Sequence, residues 1–273
     1  MSKILVIGAN GKTGRRVTDK LKNLNIDVRA SSRSTEIPFD WEKPETWGMA
    51  LDGIEKVYIT FQPDLAVPSA VETIRNFVKL ASQHDVKKMV LLSGRGEKEA
   101  ERCENELINS GVDFSIVRAS WFMQNFSESF FTDGILQGEL VVPQIEALEP
   151  FVDADDIADV VVDCLLNDKH KNKIYSLTGP ELLSFKRCAD KVSEAAGFHV
   201  TCIEIPLADY LDGMRQHHYP EDVIWLVQYL FTEVLDGRNE FITDHIEEVL
   251  GRKPRSFEDY AINAAKSGMW IKN

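Results

Sequence analysis

The chain has 273 residues, of which 44% are hydrophobic and 27% charged, proportions typical of a globular protein of one or two domains. Its 31 Lys and Arg residues against 44 Asp and Glu give a formal net charge of −13, which argues against general binding to nucleic acid or to an anionic membrane. No apolar run approaches the ~20 residues of a membrane span, and the N-terminus shows no signal-peptide pattern, so we expect a cytoplasmic protein. The 4 cysteines are widely spaced, which predicts free thiols and no metal site.

Residues 1–120 alternate between short β-rich runs and longer stretches of helical periodicity. In 66–83, for example, apolar residues recur at steps of three and four, which is typical of a helix with one buried face. Strands separated by helices need crossover connections, so we predict an α/β fold: a Rossmann-like, doubly wound parallel sheet with helices on both faces. The predicted strands cover 3–7, 27–31, 56–60, 88–92 and 114–117.

The pattern changes after Arg118, where helices come to dominate. We predict a helix over 121–137, short strands over 140–142 and 151–152, a helix from 153 and a strand over 174–177. A helix over 184–196 should end at Gly197, and 199–205 alternates like a strand. We therefore predict a single unit over 1–273, in which 1–150 is mainly the nucleotide-binding layer. The remainder, 151–273, would be mainly a smaller, mostly helical substrate lobe interleaved with it.

The most informative stretch is a hydrophobic strand that runs into a turn with glycines at every third position. Gly8 would permit the tight turn, Gly11 would let the backbone approach a pyrophosphate, and Gly14 would let the next helix pack closely on the strand. The phosphates would then lie at the helix N-terminus, where free N–H groups and the helix dipole favour negative charge. We interpret the turn as a dinucleotide-binding motif, with a purely structural glycine turn as the alternative.

The end of the second predicted strand indicates which dinucleotide would bind. An NAD-preferring site usually carries an acidic residue there for the ribose 2′-hydroxyl, but no acid follows this strand before Glu36. Instead Arg33 stands among serines and could receive a 2′-phosphate. The sequence therefore favours NADP over NAD. The alternative for Arg33 is a solvated surface charge.

Ligands of such sheets bind beyond the carboxyl ends of the strands, so the residues that follow the strands are candidate site residues. The segment that begins at Phe61 and Gln62 should pass the cofactor, and Ser93 should lie near the nicotinamide or the substrate. The segment 118–126 would cover the site, and its aromatic and amide side chains suit a flat apolar substrate. Lobe core is an equally weighted alternative for its aromatic residues, Trp121, Phe122 and Phe126.

These motifs resemble the NmrA-like atypical short-chain dehydrogenases/reductases, and in particular the branch of the clavine, quinone and triphenylmethane-dye reductases. The likeness extends over nearly the whole chain, through 4–14, 91–97, 110–118, 120–126, 150–158, 177–180 and 250–260. The resemblance implies a pyrophosphate site at Gly8, Asn10, Gly11, Lys12, Thr13 and Gly14, a 2′-phosphate contact at Arg33, and a nicotinamide side lined by Phe61, Gln62 and Ser93. Trp121, Phe122 and Asn125 would line the substrate pocket.

The sequence departs from the wider superfamily in its usual Tyr-x-x-x-Lys pair, in which lysine lowers the pKa of the tyrosine for proton exchange. The corresponding window, 97–106, contains no tyrosine, and its single lysine, Lys98, stands among glutamates. We interpret this window as a solvated charged helix. Tyrosine-dependent alcohol oxidation and sugar epimerisation are therefore disfavoured.

Three hypotheses about function follow. The leading one is a reductase that passes hydride from NADPH to a small, flat, electron-poor acceptor, mainly by proximity in a dry pocket. Ser93, or Tyr219, could donate a hydrogen bond to the acceptor, although the catalytic residue remains open. The second hypothesis is a non-catalytic NADP(H)-binding redox sensor or regulator; the third is an isomerase or lyase. A small-molecule substrate and a monomer or homodimer are expected, with neither nucleic acid nor membrane as a partner.

Overall fold

The computed structural model describes residues 3–129 and 131–271, so that positions 1, 2, 130, 272 and 273 lie outside the described residues. The chain divides into two compact units, and each unit is assembled from separate segments of the sequence. The first contains Met1–Ala119, Ala154–Leu177 and Glu248–Gly251, and the second contains Ser120–Asp153, Thr178–Glu247 and Arg252–Asn273. Relative to the division predicted near residue 150, 120–153 lie in the second unit and 154–177 in the first.

The strands among the described residues form a six-stranded parallel sheet and a separate parallel pair. In chain order they are β1 (Ile4–Ile7), β2 (Val28–Ser31), β3 (Lys56–Ile59), β4 (Lys88–Gly94), β5 (Asp113–Ala119), β6 (Glu139–Val142), β7 (Lys173–Leu177) and β8 (Thr201–Glu204). The large sheet belongs to the first unit and has the order β2-β1-β3-β4-β5-β7, with every neighbouring pair parallel. This confirms the predicted Rossmann-like α/β fold.

The helices pack on both faces of the sheet in the first unit and dominate the second unit. In chain order they are α1 (Lys12–Asn23), α2 (Trp47–Leu51), α3 (Ala70–Gln83), α4 (Lys98–Ile108), α5 (Phe131–Gln137), α6 (Ala154–Leu166), α7 (Phe185–Ala196), α8 (Leu207–Gln216), α9 (Glu221–Tyr229), α10 (His245–Leu250) and α11 (Phe257–Lys266). Short 3₁₀ turns cover Pro44–Thr46, Met123–Phe126 and Asp168–His170, and a π-helical turn covers Leu230–Val234. No helix among the described residues is long and apolar enough to cross a bilayer.

The central strand β1 shows why its sequence is continuously apolar. All of its residues are buried, because helices cover both faces of a parallel sheet. Side chains alternate along a strand, so Leu5 and Ile7 join the core formed with α2, α3 and α4. On the sheet's other face α1 packs against α6, and α6 contacts β3, β4 and β5. Because helices cover both faces of the sheet, the loops at the carboxyl ends of the strands are left to form the site.

The second unit has its own core, in which Phe126, Phe185 and Phe231 are fully buried and the ring of Phe185 contacts the other two rings. Here the helix predicted over 121–137 is wrong in its first half. The backbone of Trp121 and Met123 is instead paired with Val152 through hydrogen bonds of 2.9 Å each. Because this long-range pairing uses the same N–H and C=O groups that a helix would need, regular helix begins only at α5.

Candidate functional site

The site of the first unit is defined by the strand order around β1. The chain passes from β1 to β2 on one side and later returns to β3 on the other side of β1. Loops at such a switch point leave the sheet in opposite directions and open a crevice beyond the carboxyl ends of the strands. The Thr60 hydroxyl, just after β3, donates to the Ile7 carbonyl at 3.0 Å, and this bond joins the two loops.

Three glycines shape the turn between β1 and α1. Gly8 has φ of +70°, and a Cβ built on it would lie 2.3 Å from the Thr60 hydroxyl oxygen. A Cβ on Gly14 would lie 2.1 Å from the Gly8 carbonyl oxygen, and one on Gly11 would lie 3.2 Å from the same atom. The helix therefore packs against bare backbone, and the open side of the turn is left to a ligand that approaches the main chain closely.

The N-terminus of α1 offers backbone N–H groups to an anion. Its N-cap, Gly11, provides no side chain to occupy them, and the first turn contains no acidic residue. Thr13 is buried, and its hydroxyl accepts a 2.9 Å hydrogen bond from Tyr58. Burial raises the pKa of Tyr58, which keeps the phenol protonated as a donor. These residues, together with half-buried Lys12, fit the pyrophosphate of a dinucleotide.

The loop after β2 is organised by Asn10. The Asn10 side-chain amide donates to the hydroxyls of Ser32 at 2.9 Å and Ser34 at 3.2 Å. Arg33, between these serines, is exposed and makes no hydrogen bond or ion pair with any residue that the structure describes. An arginine without a carboxylate partner beside two hydroxyls is suited to bind a phosphate.

The loop after β3 carries the next two predicted contacts. Phe61 is half-buried, with its ring centroid 5.0 Å from that of Trp41, and Trp41 donates its indole N–H to the Thr60 carbonyl at 2.9 Å. Gln62 follows and is exposed. The structure thus places Phe61 and Gln62 on a loop that the aromatic core anchors next to the glycine turn.

Ser93, near the end of β4, is committed to a buried polar cluster. It is 5% exposed, and its hydroxyl donates to the Glu104 carboxylate at 2.6 Å. Arg118, which is paired with Ser93 in the β4–β5 register, also donates to Glu104, at 2.6 Å. The Ser93 proton therefore points to Glu104, and its oxygen can act towards a ligand chiefly as an acceptor.

The expectation that 97–106 forms a solvated charged helix is wrong for two of its glutamates, since Glu104 is 1% exposed and Glu97 is 7% exposed. Glu104 shares the inward face of α4 with Ala100, Cys103 and Leu107, and Arg118 provides the countercharge that makes its burial tolerable. The helical spacing of Glu104 with these apolar residues was a signal in the sequence that it could be buried. To interpret that signal, one would have had to know that the pairing of β4 with β5 brings Arg118 next to Glu104.

Two acidic residues lie close together beyond the ends of β3 and β4. The carboxyl groups of Asp64 and Glu97 are hydrogen-bonded to each other, and Asp64 also accepts the Ala66 N–H at 2.8 Å. Burial raises the pKa of Asp64 in spite of these two hydrogen bonds. The folded protein therefore favours the protonated form of the Asp64 carboxyl more than the unfolded chain does.

This pair predicts an unusual dependence of stability on pH. Because the folded state raises the pKa of Asp64, it binds that proton more tightly than the unfolded chain does. The free energy of unfolding should fall as pH rises from the unfolded pKa through the folded one, and this loss persists at neutral pH. We expect Asp64→Asn to remove that part of the decline and to raise the melting temperature at neutral pH.

Thermal unfolding of both proteins across the acid-to-neutral range measures this difference. Asp85→Asn is the matched control, because Asp85 is exposed and its φ of +62° suits asparagine equally well. Equal destabilisation of the Asp64 variant at every pH would contradict the prediction, since the carboxyl would then contribute only through its contacts.

The predicted substrate residues all lie in the second unit. Trp121 is half-buried, with its ring centroid 5.6 Å from that of Phe185 and 5.5 Å from that of Phe231. Phe122 and Asn125 are also half-buried, whereas Phe126 belongs entirely to the core. Trp121, Phe122 and Asn125 therefore retain accessible surface, and their role as a substrate pocket stays a prediction.

The cysteines and acidic residues offer no metal centre among the described positions. Cys103, Cys164, Cys188 and Cys202 are free thiols, and burial raises the pKa of each above its usual value. No group of three or more His, Cys, Asp or Glu side chains within 3–129 and 131–271 is arranged to hold a metal ion.

A parallel sheet with a switch point, a glycine turn at a helix N-terminus and an unpaired arginine after β2 define a Rossmann-type NAD(P)-binding protein. Comparison with known proteins agrees. The chain matches the family model described as NAD(P)H-binding over residues 8–168, which is more than half of its length. It belongs to this family, and its resemblance to the NmrA-like atypical short-chain dehydrogenases/reductases is confirmed.

Three similar proteins are informative. Festuclavine dehydrogenase of Aspergillus fumigatus is 28% identical, with 99% of each chain covered. The NADPH-dependent quinone oxidoreductase of Escherichia coli, solved with NADPH, is 18% identical with a TM-score of 0.79, covering 95% of this chain and 99% of that one. The triphenylmethane reductase of Citrobacter sp., solved with NADP(H), is 17% identical with a TM-score of 0.75, covering 97% of this chain and 100% of that one. Family and relatives together make the chain an NAD(P)H-dependent oxidoreductase.

Proposed function

We propose that the chain is an NADPH-dependent reductase that transfers hydride to a small, flat, electron-poor acceptor, such as a quinone, an iminium ion or a conjugated compound, without a Tyr-Lys pair. The observation that carries the proposal is the contact between Gly14 and the turn at Gly8, where a single added methyl group would collide with backbone. That geometry is costly for folding and useful for binding a dinucleotide pyrophosphate.

Each part of the first unit has a role in holding the cofactor. The turn and the N-terminus of α1 bind the pyrophosphate, Asn10 fixes the serines after β2, and Arg33 binds the 2′-phosphate. Phe61 and Gln62 line the nicotinamide side. When bound, NADPH supplies the hydride from C4 of its nicotinamide ring. The protein contributes orientation and exclusion of water.

Few side chains near the proposed site could donate a proton, which supports acceptors that need little protonation by the protein. Helix α4, where the wider superfamily carries tyrosine and lysine, has the sequence KEAERCENELI and no tyrosine. The Ser93 hydroxyl donates its hydrogen bond to Glu104, so it is poorly placed to protonate a substrate oxygen. The relatives named as festuclavine dehydrogenase, quinone oxidoreductase and triphenylmethane reductase support the same class of chemistry.

The test has two stages. Calorimetric titration with NADPH and NADH measures binding. Oxidation of bound NADPH is then followed with menadione, a short-chain quinone and a triphenylmethane dye. Binding with rapid oxidation by at least one acceptor is expected. Binding without oxidation by any of them would overturn the reductase and favour the alternative, an NADP(H)-binding redox sensor.

Arg33 provides a sharper test of cofactor choice. We expect Arg33→Ser to weaken NADPH binding by about 10- to 100-fold, the effect of losing a charge-assisted hydrogen bond of ~1.5–3 kcal/mol, and to leave NADH binding nearly unchanged. Arg102→Ser is the control, because Arg102 is an exposed arginine of the same unit that pairs with Glu99. Parallel losses for both cofactors would place Arg33 outside the 2′-phosphate site.

A further inference from the structure

The second unit contains a cavity of about 370 Å³ that the proposed hydride transfer does not explain. Its wall is formed by α5, β6, α8 and α9, so the cavity is complete within this unit. The volume lies near the lower end of the ~300–1,000 Å³ that is usual for small-molecule sites. A compact ligand of one or two fused rings is therefore the appropriate size class.

The inner wall is apolar and aromatic, and it includes Phe131, Leu140, Val227 and Tyr210. Burial raises the pKa of Tyr210 to about 12, and the nearby Tyr219 adds to the effect, so Tyr210 is an uncharged phenol. No residue within the described part of the chain hydrogen-bonds the Tyr210 hydroxyl. The Tyr210 side chain is half-buried at the cavity wall, so its hydroxyl has capacity to hydrogen-bond a molecule in the cavity.

Acidic side chains outnumber basic ones around the cavity, where His217 is the one basic residue among the described lining residues. Glu139 and Asp209 line it with exposed carboxylates, and the described lining residues include neither lysine nor arginine. Tyr219, which is 41% exposed, adds an aromatic ring to the same wall. Carboxylates and electron-rich aromatic faces both attract cations and disfavour anions.

We infer that this cavity is a binding site for a compact aromatic compound that carries a positively charged nitrogen. The ring system packs among Phe131, Leu140 and Val227. The charge faces Glu139 and Asp209, and the Tyr210 hydroxyl bonds a polar substituent or a water molecule retained with the ligand. An iminium-type cation is also one of the acceptors proposed above, but the inference concerns this cavity of the second unit alone, where binding requires neither the cofactor nor turnover.

Calorimetry on the full chain without cofactor, at mildly alkaline pH, tests the inference with three probes of similar shape. These are the cation 1-methylquinolinium, the neutral 4-methylquinoline and the anion 1-naphthoate. We expect the cation to bind about tenfold more tightly than the neutral compound, as cation–π and carboxylate contacts would provide, and the anion to bind least.

Gly213 of α8 allows the cavity to be closed selectively. A Cβ added there would meet no atom within 4 Å, so a larger side chain enters open space at the cavity wall. Gly213→Leu should abolish binding of 1-methylquinolinium, whereas the matched Gly213→Ala should retain it. Asp209→Asn leaves the cavity open and should reduce the preference for the cation over 4-methylquinoline several-fold.

Thermal unfolding establishes that each variant is folded before it is titrated. Failure of all three probes to bind the unaltered protein, equal affinity for cation and anion, or full binding by the folded Gly213→Leu variant would each overturn the inference. If the leucine variant does not fold, the Asp209→Asn comparison decides, because an unchanged preference for the cation contradicts the role of the acidic rim.

Discussion

Replacement of Gly14 by alanine is expected to weaken NADPH binding by about 100-fold or more and to destabilise the first unit by ~1–3 kcal/mol. The added methyl group would lie 2.1 Å from the Gly8 carbonyl oxygen and 3.1 Å from the Cα of Ala9. Both atoms are backbone and cannot rotate away as a side chain would. Helix and turn must separate, and the N–H groups that we propose to bind the phosphates then lose their positions.

Gly48→Ala is the matched control for this prediction. Gly48 is also a helical glycine of the first unit, but its Cβ would meet only the His84 ring, at 3.9 Å. Alanine there should leave binding unchanged and increase stability by up to ~1 kcal/mol. Calorimetry and urea unfolding measure the two effects. Normal NADPH affinity in a folded Gly14→Ala protein would show that the turn does not hold the pyrophosphate.

Removal of the Glu104 carboxylate is expected to cost ~3–5 kcal/mol of unfolding free energy, because the variant Glu104→Ala leaves the charge of Arg118 and the hydroxyl of Ser93 without their acceptor. Glu104→Gln keeps the shape and one acceptor and should cost less. Arg118 also approaches Glu101 at 3.4 Å, but Glu101 is more exposed and provides weaker compensation.

The variant Glu106→Ala shows how much of the effect at Glu104 comes from burial, because it also removes a glutamate that pairs with an arginine. Glu106 lies on the same helix and accepts two hydrogen bonds from Arg75, yet this pair is largely solvent-exposed and should be worth ~0–1 kcal/mol. Urea unfolding of the three variants provides the measurement. Similar losses for Glu104→Ala and Glu106→Ala would mean that burial adds nothing to the Ser93–Glu104–Arg118 cluster.

The parts of the fold that were predictable are those encoded locally. The apolar run of β1, the spaced glycines and the amphipathic α1 follow one another directly, so each supports the interpretation of the next. The cap of α7 is equally local: the Ser184 hydroxyl accepts the Arg187 N–H, and Gly197 ends the helix with φ of +74°. Such signals need no knowledge of tertiary contacts.

The features that escaped prediction depend on residues distant in sequence. Glu104 is buried because the register of β4 and β5 brings Arg118 beside it, and no pattern within α4 specifies that register. The segment after Trp121 does not form the predicted α-helix, because Val152 competes for its backbone hydrogen bonds. The cavity around Tyr210 combines four elements between residues 131 and 227, none of which shows a binding motif of its own.

The interleaving of the two units has a consequence for biosynthesis. Strand β7, which pairs with β5 along Lys173–Leu177, is translated only after the whole segment Ser120–Asp153 of the other unit. Until it emerges from the ribosome, β5 is an unprotected edge whose backbone groups can pair with another chain. The sheet therefore cannot be completed while only the N-terminal part of the chain has been synthesised. A chaperone that shields β5 during this interval would limit aggregation.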